Sequence, residues 1–321
     1  MDTLVSVRDL DVSFLSYRGI VRALQGVNVD INYSETVGLV GETGCGKSTL
    51  GLSIARLVPN PGIIERGEIY FEGEDLLKKS EEEMRAIRRE KMSMIFQDPT
   101  TSLNPVFRVG DQISEGVMLT HDMKKNEAMD RAVELLRMVG IPDPSKVARQ
   151  YPHELSGGMK QRGMIAMALS YDYKLLIADE PTSSLDVTIQ AQILELMTEM
   201  QKKTRMTILL ITHDMGVIAQ TCDRVVVMYA GNIVEVGTAH DIFKKAYHPY
   251  TQGLLAAVTL HEEEERLTTI PGSVPDLIEI PPGCPFSPRC KYLKDKCERE
   301  KPKLHEVELG HLVACYLEGE L

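Results

Sequence analysis

Between residues 36 and 58 the chain carries the arrangement that most restricts its fold. Thr36-Val37-Gly38-Leu39-Val40 reads as a short buried strand, and Gly41-Glu42-Thr43-Gly44-Cys45-Gly46-Lys47-Ser48 follows it directly. A helix is expected from about Lys47 to Val58, stopped by Pro59. Strand, glycine-rich turn and helix in that order form the context of the G-x-x-x-x-G-K-S/T phosphate loop. Its chemistry needs glycine because consecutive backbone N–H groups must turn inward around an anion, which side chains would obstruct. The helix start adds positive potential. Lys47 is placed to reach the β- and γ-phosphates and the Ser48 hydroxyl to sit on Mg²⁺, so the expected nucleotide contacts run from Gly41 through Thr49.

The rest of the chain supplies a sheet for this loop. Leu4 to Phe14 alternates with a phase slip at Arg8-Asp9, and Val27 to Ile31 is a second early strand. Residues 80 to 170 are predominantly helical in pattern: Ser80-Glu81-Glu82-Glu83 has the form of a capping box with Glu81 one turn from Arg85, and Asn126 to Val139 repeats Met129, Val133 and Leu136 at helical spacing. Buried strands return at Lys174 to Ala178 and Thr207 to Thr212, separated by a helix over about Thr188 to Lys202. Strands alternating with helices imply an α/β fold with a mostly parallel core sheet. Val225 to Tyr229 and Ile233 to Val236 flank Gly231-Asn232, a hairpin signal.

Composition removes whole classes of function. With 36 basic against 47 acidic residues the net charge is −11, which argues against a chain whose main task is gripping nucleic acid. Apolar runs such as Val225 to Ala230 fall far short of a membrane span. Met-Asp-Thr-Leu-Val lacks the basic and apolar regions of a signal peptide, so the expectation is an unexported chain whose six cysteines are not disulfides.

Leu175-Leu176-Ile177-Ala178-Asp179-Glu180 is an apolar strand ending in two carboxylates, in which Asp179 would hold Mg²⁺ through water and Glu180 would polarise the attacking water. Between it and the phosphate loop lies Leu155-Ser156-Gly157-Gly158-Met159-Lys160-Gln161-Arg162. This run resembles the signature of ABC-type ATPases, and further matches fall in that family's order. Gln97, in Met94-Ile95-Phe96-Gln97-Asp98-Pro99, is similar to the Q-loop glutamine, Ser184-Leu185-Asp186 to the D-loop, and His213 to the switch histidine. Tyr17 is the candidate for stacking on adenine, with Phe14 as runner-up. The resemblance implies an ABC-type P-loop NTPase with an antiparallel β subdomain and a helical signature subdomain. It also implies ATP sandwiched between two head-to-tail domains, the phosphate loop of one facing Ser156 and Gly158 of the other. Asp186 joins the nucleotide contacts, Gln97 touches both Mg²⁺ and water, and Glu180 and His213 orient the water while Lys47 neutralises the transferring group.

Cys284, Cys290, Cys297 and Cys315 are separated by five, six and seventeen residues. Thiolates need a cation to stay deprotonated together, so this clustering reads as a metal or cluster site. None of the pairs is C-x-x-C, and spacing does not choose between iron–sulfur and structural zinc. His248-Pro249-Tyr250-Thr251-Gln252-Gly253-Leu254-Leu255, Ile270-Pro271-Gly272-Ser273-Val274-Pro275 and Gly283-Cys284-Pro285-Phe286-Ser287-Pro288-Arg289-Cys290 resemble the C-terminal extension of oligopeptide/dipeptide importer ATPase subunits. That resemblance implies a 4Fe–4S cluster on the four cysteines, with zinc as the second choice. Cys45 and Cys222 read as ordinary buried residues, Glu262 to Glu265 as a solvated face, and Met159, Met164 and Met167 as core.

The expected organisation is a nucleotide-binding domain over residues 1–240, its helical subdomain at about 98–170, and a Cys-rich extension over 241–321. The resemblance implies an ATP-hydrolysing subunit on the cytoplasmic face of the membrane. Its implied partners are a second, related ATPase subunit (or an identical chain), two integral membrane permease subunits and an external solute-binding protein. DNA-repair and ribosome-associated ATPases share this head. The former insert coiled coils or zinc modules between phosphate loop and signature, where only 106 residues separate Ser48 from Leu155 here. The latter join two nucleotide domains in one chain, and this chain has one.

Overall fold

In a computed structural model the described residues are 2–98, 102–121, 123–171, 173–183, 185–258 and 270–317. Glu262 to Glu265 and Ser184 lie outside them. The strands are β1 (Thr3–Ser16), β2 (Gly19–Asn32), β3 (Thr36–Val40), β4 (Gly62–Phe71), β5 (Glu74–Asp75), β6 (Met92–Ile95), β7 (Leu175–Asp179), β8 (Thr207–Ile211), β9 (Arg224–Tyr229), β10 (Asn232–Thr238), β11 (His305–Glu308) and β12 (His311–Val313). The chain forms two compact units, one of Met1–Ser80 with Leu209–Leu321, the other of Glu81–Ile208.

The first unit holds an antiparallel sheet in the order β2-β1-β4-β5. The phase slip is a bulge: Asp9 has φ of 44°, and the β1/β2 register shifts between Val7 and Leu10. One extra residue restores the alternation, so Val5, Val7, Leu10 and Val12 are all buried. A second set of strands runs β11-β12-β10-β9-β3. β3 and β9 are parallel (Gly38↔Val225, Val40↔Val227), whereas β10, β12 and β11 are joined antiparallel (Ile233↔Met228, Glu235↔Val313, Glu306↔Leu312). The sheet is mixed, and its antiparallel edge is supplied in part by the C-terminal segment. That segment shares its hydrogen bonds with the body of the unit.

Two local expectations shift. The helix after the phosphate loop covers Lys47–Ile54, four residues shorter than its pattern, because Arg56 takes φ of 51°. Leu57 N–H then closes on the Leu52 carbonyl at 2.8 Å and Arg56 N–H on that of Ser53 at 3.0 Å, a Schellman ending. The hairpin turn is Ala230-Gly231, with φ of 45° and 77°, and Asn232 already pairs with Tyr229 as the first residue of β10. Positive φ at both central residues is what a two-residue turn between twisted strands requires.

The second unit pairs β6 and β7 in parallel, Met94 opposite Ile177. Around them lie helices Glu81–Glu90, Val109–His121, Lys125–Met138, Gly157–Ala168 and Val187–Thr204. Glu81 pairs with Arg85 at 3.8 Å and more closely with Arg88. Lys125–Met138 buries Ala128, Ala132, Leu135 and Leu136, while Met129 and Val133 are half-buried. Of the three methionines read as core, Met164 is buried and Met159 and Met167 are half-buried. Among the described residues no helix is long and apolar enough to cross a membrane.

Candidate nucleotide site

β3 is buried along its whole length and delivers the chain to the loop at Gly41. A side chain there would put its Cβ 2.2 Å from the Met228 carbonyl oxygen, so β9 permits only glycine. Gly46, the residue before the helix, combines φ of 107° with a backbone that would leave a Cβ 2.6 Å from the Ala23 carbonyl. Lys47 is buried, its ammonium donating to the carbonyls of Gly41 (2.7 Å) and Glu42 (3.1 Å). Its charge thus sits inside the turn. Thr43 and Gly44 are exposed, Ser48 and Thr49 half-buried at the helix start. Cys45 is fully buried, and burial pushes its thiol up despite the opposing charge of Lys47. Cys222 is buried as expected, its thiol pushed up to about 12 by burial.

Two residues with no assigned role in the sequence reading touch this loop. The Arg289 guanidinium forks onto the Glu42 carboxylate at 2.6 and 3.1 Å, and the Glu42 N–H donates to the Tyr250 hydroxyl at 2.8 Å. They lie 247 and 208 residues downstream, beyond the reach of any local pattern. Both occur in C-terminal runs that carry the importer resemblance, Tyr250 in the first and Arg289 in the third, which was the available signal. In the same unit Tyr17 is 99% exposed in the turn joining β1 and β2, free for a planar ligand, while Phe14 is half-buried opposite Val21. His213 is exposed, just after β8 and before Asp214, whose carboxylate caps helix Met215–Thr221.

In the second unit β7 ends at Asp179, which is buried, and Glu180 follows with φ of 47°. That left-handed turn takes the Glu180 side chain out of the strand, and Gln97 donates to its carboxylate at 3.1 Å. Gln97 and Glu180, 83 positions apart, are therefore brought together. Gln161, completely buried in the signature helix, donates to the backbone carbonyls of Glu180 (3.4 Å) and Pro181. The sequence reading gave Gln161 no role. It fixes the backbone carrying Glu180 to the helix that begins at Ser156. Ser156 caps that helix, accepting from Met159 N–H at 3.3 Å; Ser156 and Gly157 are exposed and Gly158 half-buried. Asp186 is exposed and caps Val187–Thr204 through Ile189 N–H at 3.0 Å.

The four C-terminal cysteines are gathered. Burial pushes the Cys284 thiol up to about 12, and the charges of Cys315, Cys297 and Cys290 push the same way. Cys290 and Cys315 are raised by burial too, and each feels other members of the group. Cys284 N–H donates to the Cys297 carbonyl at 2.7 Å. All are free thiols, and among the described residues no three His, Cys, Asp or Glu are arranged to hold a metal ion. The donors are soft and concentrated in the C-terminal segment.

The ABC transporter family profile matches residues 24–183, and that of the oligopeptide/dipeptide transporter C-terminal region matches residues 234–297. The oligopeptide transport ATP-binding protein OppD of Bacillus subtilis (strain 168) is 51% identical over 98% of this chain and 88% of its own length. The dipeptide transport ATP-binding protein DppD of Escherichia coli (strain K12) is 46% identical over 98% and 96%. Among solved structures, the ADP- and phosphate-bound dimer of the ATP-binding cassette MJ0796 superposes with a TM-score of 0.67 at 26% identity, covering 73% of this chain and 98% of that one. This chain belongs to the ATP-binding subunits of the oligopeptide/dipeptide ABC transporter family, membrane-associated ATPases coupled to transport.

Proposed function

We propose that this subunit hydrolyses ATP to drive uptake of oligopeptides, dipeptides or related solutes through a membrane permease. Its place is the cytoplasmic face, beside a second, related ATPase subunit, two integral membrane permease subunits and an external solute-binding protein. Residues 1–240 form the ATPase domain, with 98–170 as its helical part and 241–321 as the extension. The names of the relatives above, transport ATP-binding proteins for oligopeptides and dipeptides, support the solute class.

The observation that carries the reading is the exposed start of the signature helix. Ser156 and the N–H groups after it make an anion site at a helix N-terminus, open to solvent and so available to a nucleotide brought by another chain. ATP held there and on the phosphate loop of the partner joins two subunits, and hydrolysis to ADP and phosphate releases them. The MJ0796 cassette, a dimer bound to ADP and phosphate, supports the same arrangement.

Each residue then has a task. Tyr17 stacks on the adenine, Gly41 to Thr49 wrap the phosphates, and Lys47 neutralises charge on the transferring group. Glu180 accepts the proton of the attacking water as its oxygen bonds to the γ-phosphorus and the bond to ADP breaks. Gln97 and His213 orient that water, and Asp186 completes the nucleotide contacts. The oxygen donors of Ser48, Gln97 and Asp179 are the hard set that suits Mg²⁺, which supplies charge neutralisation when bound. Cys284, Cys290, Cys297 and Cys315 hold a 4Fe–4S cluster that staples the extension. Four cysteines within residues 284–315 and the importer resemblance of the runs around Cys284 and Cys290 are what support the cluster, with zinc as the second choice. Iron and acid-labile sulfide near four per chain after anaerobic purification would bear this out, and zinc alone would refute it.

The activity test is reconstitution with candidate permease and binding proteins in liposomes, reading ATP turnover with and without peptide. Peptide-stimulated turnover is expected. Glu180→Gln should still bind ATP, lose turnover by orders of magnitude and accumulate a nucleotide-bound pair. Unchanged turnover would remove Glu180 from its role.

A further inference from the structure

Glu42 poses an electrostatic problem. It puts a carboxylate in a loop built to receive a polyanion, where like charges repel strongly. Arg289 offsets that charge. Its guanidinium has five N–H donors, and all are used: two on the Glu42 carboxylate, the others on the Pro271 carbonyl (2.9 Å), the Ile270 carbonyl (3.2 Å) and the Tyr229 hydroxyl (3.3 Å). The Arg289 side chain is only 4% exposed, and its face lies over the rings of Tyr229 and Phe286. Gly272, with φ of 79°, packs against its stem, so Ile270-Pro271-Gly272 is the collar of this pocket. From the other side Tyr250 accepts the Glu42 N–H and packs against Tyr229 and Phe286.

The collar belongs to the cysteine module. Arg289 stands between Cys284 and Cys290 in a short turn closed by Ser287 N–H on the Cys284 carbonyl (2.9 Å) and Cys290 N–H on the Ser287 carbonyl (3.3 Å). The same extension also reaches the hairpin that carries Tyr17: Arg22 N–H donates to the Leu277 carbonyl at 3.0 Å, and Ile278 lies against Gly19. The module therefore borders both the phosphate loop and the exposed aromatic.

We infer that the cysteine-rich extension is a working wall of the nucleotide site, with Arg289 as the positioning residue that neutralises Glu42 and fixes the phosphate loop. This rests on the phosphate-loop reading above. The integrity of the cysteine module then sets nucleotide affinity, giving the extension a regulatory hold on the ATPase.

The test is a titration of the full chain with a fluorescent ATP analogue and Mg²⁺, together with KM and kcat for MgATP. Arg289→Ala should raise Kd and KM by about tenfold through one uncompensated like charge, with kcat at saturation changed less than threefold. Adding Glu42→Gln should recover most of the loss, which a merely structural role for Arg289 would not allow. Should Arg289→Ala fail to fold, Tyr250→Phe removes a single oxygen and should raise KM by about threefold to tenfold with little change in melting temperature. Unchanged affinity in the arginine or tyrosine variant, or no recovery in the double variant, overturns the inference. Lys47→Ala in the same titration separates the two levels. If it binds nucleotide like the parent, the phosphate-loop reading itself falls; if it loses binding while Arg289→Ala keeps it, only the present inference falls.

Discussion

The phosphate loop and the signature segment are both glycine-rich starts of helices, yet they are built in opposite ways. At the first, Gly41 and Gly46 are pressed against neighbouring backbone, Lys47 is buried with its ammonium on two carbonyls, and Glu42 is held from both sides by Arg289 and Tyr250. At the second, Ser156 and Gly157 stand in solvent, and the serine hydroxyl accepts the Met159 N–H as the cap of its helix. One is a finished cradle, preorganised before any ligand arrives. The other is open to solvent, and rigidity beneath it comes from Gln161, which ties the helix to the backbone at Glu180 and Pro181. On the proposed pairing of two subunits, one binding surface is completed inside each chain and the second is left for a neighbour.

The sharpest way to break this comparison is to damage the two helix starts separately. Lys47→Ala should abolish nucleotide binding by the isolated chain, measured by the same titration, because it removes the buried ammonium that sits on the Gly41 and Glu42 carbonyls inside the loop. Ser156→Asp keeps an N-cap oxygen but sets a carboxylate where a neighbour's phosphate must dock. It should leave binding by the isolated chain within about twofold and cut turnover of the assembled pair by about a hundredfold, the scale of losing an anion-site donor. If both variants lost binding in the isolated chain, the contrast between a closed cradle and an open half-site would be wrong.

A smaller effect concerns what lies under the cradle. Glu235, fully buried on β10, accepts from Tyr247 N–H, His248 N–H and the His311 ring, and His248 in turn accepts the Tyr250 N–H at 3.1 Å. Burial holds His248 down at about 4, against an opposing pull from Glu235, where an unfolded histidine titrates near 6.5. The neutral ring is the native form, so the unfolded chain binds the extra proton between those values. Stability is complete above pH 6.5 and falls as pH drops toward 4, by about 3 kcal/mol in all. Thermal unfolding from pH 4.5 to 8 should show this slope, and His248→Gln, which keeps an acceptor but does not titrate, should flatten it. Identical curves for parent and variant would detach His248 from the effect.

Much of the molecule was legible in the sequence wherever a rule acts over a few residues. The phase slip at Arg8-Asp9 announced the β1 bulge, because alternation cannot change face without an extra residue. Ser156, read at a helix start, is a cap, and the helix expected from about Thr188 begins at Val187 behind its cap Asp186. The glycines of the phosphate loop were assigned from local need alone. Boundaries decided by competing local forces were less secure: the helix after Lys47 stops at Ile54 although helical pattern and Pro59 pointed to Val58, because a left-handed Arg56 ends it early.

Sequence by itself thus determined what lives within a turn of the chain: the glycine-rich loop between strand and helix, the acidic strand end and the capped start of the signature helix. Tertiary structure alone decided that Arg289 neutralises Glu42, that Tyr250 holds the same residue, that Gln161 braces Glu180, and that the C-terminal segment joins β10 through β12. The physical reason is separation along the chain. Periodicity and capping are set by neighbours a few residues apart, whereas a part-buried ion pair spanning 247 positions exists only once the fold has brought its partners together and taken the guanidinium out of water.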